Sequence, residues 1–133
     1  MSNIPVSTFL RRVLLADAVL SAGTGAAMAL GAELASPLLG LPVPLLQGAG
    51  VICVGWSVVV GLCGVRPQLP RGVVLAVIAL NVLWVLESVA LLLSGWVAPT
   101  ALGIAFVLFQ AAIVGVLAEL QYVGMKRAVP TFA

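Results

Sequence analysis

No histidine occurs anywhere in this chain of 133 residues, and neither does a C-x-x-C pair. The usual haem, zinc and thiol-redox sites thereby lose their commonest ligands, which argues against a redox or metal-dependent enzyme. The two cysteines, Cys53 and Cys63, share one apolar run. They would sit about 15 Å apart along a helix, too far for a disulfide, and read as apolar fillers. Charge is equally scarce at 8% of residues, against 63% hydrophobic. There is too little polar surface to cover a water-soluble globule. A phosphate-binding glycine loop and a nucleophile–base pair are both missing, and the polar connections are too short to build a soluble active site. The chain is expected to be non-enzymatic and to hold neither cofactor nor metal.

What is abundant is apolar sequence. Crossing a hydrocarbon core takes about 20 apolar residues, and four runs qualify: Val13–Ala35, Pro44–Gly64, Gly72–Leu93 and Pro99–Val123. The first and third connections, around Pro37 to Pro44 and Ser94 to Pro99, are uncharged turns rich in proline and glycine. The middle one, Val65 to Arg71, joins two prolines to two arginines. All six basic residues fall in three pairs at the ends of runs: Arg11 and Arg12, Arg66 and Arg71, Lys126 and Arg127. With four spans every pair lies on one side; three or five spans would scatter them. Under the positive-inside rule these are topology signals rather than a nucleic-acid patch. The expected fold is therefore all-α, a single domain over 1–133, an integral membrane four-helix up-down bundle with both termini in the cytoplasm. Arg11 and Arg12 before an apolar stretch also resemble a secretory signal, but Asp17 interrupts it, so the first run is expected to stay. Met1 to Thr8 is expected as an interfacial lead, and Ala128 to Ala133 as a small tail. A weak internal repeat maps Gly40, Pro44 and Gly48 onto Gly95, Pro99 and Gly103, at a shift of 55.

Polar side chains inside a bilayer are costly and face the bundle interior. Measured from the span midpoints, Thr24, Asn81 and Gln110 fall near mid-membrane, with Ser57 close by, and are expected to form one hydrogen-bonded layer. Asn81, Trp84, Glu87 and Ser88 share an arc of the third helix, as do Gly103, Phe106, Gln110, Val114, Leu117 and Gln121 on the fourth. The candidate ligand or proton site is Glu87 with Asn81, Trp84, Ser88, Gln110 and Thr24. Glu87 lies about 6 Å beyond the midpoint, away from every basic residue, where a carboxyl can carry a proton or balance a cationic substrate. Asp17 and Glu119 are expected as boundary ion pairs, and together with Arg12 they are the candidate polar group of the cytoplasmic face. Glycine and alanine seams, such as Ser21 to Ala27, mark close helix packing.

The stretch Asn81-Val82-Leu83-Trp84 through Gly103 to Gln121 resembles small four-helix proteins of the bacterial inner membrane. That resemblance implies a multi-pass location in the inner membrane and brings no activity with it. Small multidrug-resistance transporters are similar in size and helix number, but the first helix here lacks their central carboxylate. DoxX-like proteins share the four-span plan without a motif to secure the match, and the four-helix thiol oxidases need the absent C-x-x-C. The expected function is binding of a membrane lipid, an apolar or cationic small molecule, or another membrane protein, with a homo-oligomer as the expected assembly. The alternatives are a small proton-coupled transporter using Glu87 and a lipid-acting enzyme.

Overall fold

A computed structural model describes residues 3 to 127; the expected tail and the first two residues lie outside the described residues. The elements run β1 (Asn3–Pro5), α1 (Thr8–Leu30), α2 (Ala32–Leu39), α3 (Val43–Gly64), β2 (Gln68–Pro70), α4 (Arg71–Ser94) and α5 (Ala101–Arg127). Four of these helices, α1, α3, α4 and α5, are long and apolar enough to cross a membrane.

Local chemistry sets their ends. Ser7 caps α1, its hydroxyl accepting from the Leu10 N–H at 3.2 Å. The helix therefore begins five residues before the apolar run does. Gly31 interrupts it, and a short α2 follows through Ser36 and Pro37, where the sequence suggested a turn. Gly40 and Gly95 end α2 and α4 with φ of 68° and 80°. This left-handed backbone is open to glycine at little cost. The two residues are partners in the 55-residue repeat. Pro44 opens α3 in its first turn, where a missing N–H costs nothing. Lys126 and Arg127 extend α5 beyond its apolar run and sit at the favourable end of its dipole.

Packing divides the helices into two pairs. Along the α1–α3 seam a Cβ added at Gly25 would lie 2.7 Å from the Gly50 carbonyl oxygen, and Gly61 and Gly64 face Ala18 and Leu15. In the α4–α5 pair Asn81 meets Gln121, and Trp84 and Ser88 meet Gln110. α1 joins the pairs through α5, with Leu10 and Phe9 against Gly124. α3 and α4 have no comparable seam.

Two buried clusters close the ends. At one, β1 and β2 form a small antiparallel ladder with Ile4 opposite Leu69, and these two pack with Leu10, Leu14, Val60, Val74 and Met125. The Arg11 guanidinium donates to the Arg66 carbonyl there, and the Arg127 guanidinium lies 5.9 Å from the Phe9 ring. The interfacial lead of the sequence reading is thus, over its described part, a strand tied to the central connection. At the other end Ala32, Leu41, Leu46 and Val107 cluster. There Thr100 donates to both the Leu38 and Leu39 carbonyls, and Gly103 packs directly on the Leu39 carbonyl.

Candidate functional site

Between the two end clusters lie two polar networks with a cavity beside them. The deeper network is centred on Asp17. Its Oδ2 accepts from Asn81 Nδ2 at 2.9 Å and from Gln121 Nε2 at 2.8 Å, and its Oδ1 accepts from the Ser21 hydroxyl at 3.0 Å. Asn81 Nδ2 also donates to Gln121 Oε1 at 3.0 Å. Asp17, Asn81 and Gln121 are 2%, 4% and 0% exposed, so a carboxyl and two amides from α1, α4 and α5 are sealed together.

This corrects the boundary ion pair expected for Asp17, which bonds only neutral side chains among the described residues. The helix starts at Thr8, so Asp17 lies more than two turns into α1, on the side that meets α4 and α5. Its partners are neutral, and the cytoplasmic group with Arg12 and Glu119 does not assemble. Those two side chains are exposed, without a hydrogen bond or ion pair among the described residues.

The second network joins α4 to α5. Trp84 Nε1 donates to Gln110 Oε1 at 2.8 Å, Gln110 Nε2 donates to Ser88 Oγ at 3.0 Å, and Ser88 donates to the Trp84 carbonyl at 2.8 Å. The single mid-membrane layer of the sequence reading is therefore two layers. Asn81 belongs to one and Gln110 to the other, while Ser57 bonds the Val54 carbonyl of its own helix. Thr24 makes no side-chain hydrogen bond among the described residues.

All four long helices contribute to a cavity of about 280 Å³ beside these networks. Ser21 and Thr24 come from α1, Cys53 and Trp56 from α3, Asn81, Trp84 and Glu87 from α4, and Gln110 and Val114 from α5. Ile52, Leu80, Leu83 and Glu87 line it yet are exposed, so it opens sideways between α3 and α4, the pair without a seam. A second cavity of about 440 Å³ shares Thr24, Cys53, Trp84, Glu87 and Gln110 and runs on toward Leu41, Pro44 and Phe106. Glu87 makes no side-chain hydrogen bond among the described residues and stands on the wall common to both cavities.

Ser21, Gln121 and Trp56 were not among the sequence candidates. Ser21 lies one helical turn after Asp17, a spacing at which side chains meet, and was legible in principle. Trp56 is distinctive because its indole N–H is buried with no hydrogen-bond partner among the described residues. Such a donor costs about 1–3 kcal/mol unless something accepts from it. Among the described residues no three His, Cys, Asp or Glu side chains cluster as a metal set. Compared with known families, curated proteins and solved structures, the chain matches none of them.

Proposed function

We propose that this is a non-enzymatic, multi-pass protein of the bacterial inner membrane that binds a lipid or another apolar small molecule in the cavity between α3 and α4. The observation that carries the reading is the form of that cavity. It is apolar over most of its wall, edged by a few polar groups, and open sideways at mid-helix, where a bilayer would supply its occupant directly.

The reading includes an up-down bundle with both ends of the chain in the cytoplasm. Contacts along α1 and α3 fall in reverse order, Leu15 with Gly64 and Gly25 with Gly50, which supports alternating directions. The six basic residues lie where α1 and α4 begin and α3 and α5 end, the side that positive charge keeps inside. Reporter fusions after Gln68 and after Lys126 are expected to read cytoplasm, and fusions at Leu41 and Trp96 the outside. An external signal at Gln68 would overturn the arrangement.

Native mass spectrometry from a mild detergent tests occupancy and copy number together. The expected spectrum shows a homo-oligomer carrying bound lipid or another apolar molecule. Val114→Phe, which fills the cavity wall, should remove that extra mass while leaving the copy number unchanged. Bare protein in the wild-type spectrum would reject the binding reading. A second reading, proton-coupled transport, is favoured by one observation: Glu87 stands on the wall shared by both cavities with no hydrogen bond or ion pair among the described residues. Flux in proteoliposomes that Glu87→Gln abolishes, with the fold intact, would establish it.

A further inference from the structure

We infer that the occupant of this cavity is a hydrophobic cation, a quaternary ammonium or phosphonium with an aromatic or alkyl body. The inference rests on the binding reading above and adds the sign of the ligand's charge. Its first support is the position of Glu87. The carboxyl lies seven residues before the end of α4, about 10 Å in along the helix. It lines both cavities and receives no hydrogen bond from any described residue. No basic side chain lines either cavity, because all six are gathered at the other end of the helices.

The second support is independent of Glu87. Asn81, in the wall of the first cavity, is bonded to the buried carboxyl of Asp17, which itself has only neutral partners. Among the described residues, the groups in or beside this space thus include two carboxyls and no basic side chain, so a guest of positive charge meets acceptor oxygens and no like charge. The third is aromatic. Trp56 and Trp84 line the first cavity and Phe106 the second, and ring faces attract cations within about 6 Å. The Trp84 ring is held in orientation by its bond to Gln110, so that face is fixed before a guest arrives.

Titration calorimetry of the purified protein in a neutral detergent tests the assignment with two probes of similar shape, tetraphenylphosphonium and the uncharged triphenylphosphine oxide. Wild type is expected to bind the cation saturably, and Glu87→Gln to bind it at least about tenfold more weakly. The neutral probe should bind both proteins alike. Glu87 has no partners to lose, so Glu87→Gln should fold, and Glu119→Gln, which removes an exposed carboxyl away from the cavity, should behave as wild type. Equal binding of the cation by wild type and Glu87→Gln, with the neutral probe still bound, overturns the cation assignment and leaves the cavity reading standing. Failure of wild type to bind either probe overturns both.

Discussion

Asp17→Ala is expected to lower the stability of the protein by about 3 kcal/mol, because one side chain ties together three helices. The substitution removes three accepted bonds at once. Two of them cross between helices, and interhelical hydrogen bonds in membranes average only about 0.6 kcal/mol each, so their loss alone accounts for roughly 1 kcal/mol. The remainder comes from what is left behind. Gln121 is fully buried, and with Asp17 gone its Nε2 has no acceptor. Ser21 is less affected, since its hydroxyl can turn to a carbonyl one turn back in its own helix. Asp17→Asn separates bonding from charge. An amide oxygen can accept from Asn81 and Gln121 as the carboxylate does, and its NH₂ can donate to Ser21. That variant should stay within about 1 kcal/mol of wild type, and Glu33→Ala, at an exposed site, within about 0.5 kcal/mol. Unfolding titrations in mixed micelles would rank the three. Equal stability of Asp17→Ala and wild type would show that the network does not hold the pairs together.

The misplacement of Asp17 in the sequence reading shows where such reading stops. Hydropathy fixes where apolar residues are, and prolines, glycines and arginines punctuate them, so four long helices were legible. Hydropathy does not say where a helix begins. Ser7 starts α1 five residues ahead of its apolar run, so Asp17 lies more than two turns inside the helix, and its bearing turns it toward Asn81 and Gln121 rather than toward an arginine. Glu87 illustrates a second limit. Its depth was legible, but partners depend on bearing around the helix. At 100° per residue it lies about 120° from Asn81 and about 100° from Ser88, at the edge of their arc rather than within it. The edge is where α4 faces the open side of the cavity, and so the carboxyl has no neighbour to bond. The β1–β2 ladder carried no signal. Asn-Ile-Pro and Gln-Leu-Pro are too short for alternation, each contains a proline, and they pair across more than sixty residues. The open side itself was also hidden. A glycine run announces a close seam but not its partner, and only the structure assigns the seam to α1 and α3 and leaves α3 and α4 apart.

That seam is also the most sensitive part of the fold, and Gly50→Ala should cost about 2–3 kcal/mol. A methyl group at Gly50 would lie 2.6 Å from the Ala29 nitrogen and 2.6 Å from the Gly25 carbonyl oxygen. Both are backbone atoms of α1, so no side chain can rotate away, and relief requires the helices to separate. Separation would break the reciprocal fit at Gly25, whose own Cβ position is crowded by the Gly50 carbonyl oxygen and Cys53. In lipid, apolar contact between helices gains little over contact with acyl chains, so close backbone approach is the main attraction along this face, and opening it loses that attraction over the whole seam. Helix propensity works the other way, since alanine gains about 1 kcal/mol over glycine in a helix interior, and the estimate above is what remains after that gain. Gly55→Ala is the matched control. It lies in the same helix with nothing within 4 Å of its Cβ position, so propensity acts alone and stability should hold or rise by up to about 1 kcal/mol. Opposite shifts of the two midpoints in one denaturant series would assign the effect to the seam. A gain in Gly50→Ala equal to that in Gly55→Ala would show that α1 and α3 do not approach this closely. Cys53 borders both this seam and the cavity, so the opened form should also bind the phosphonium probe less tightly than wild type.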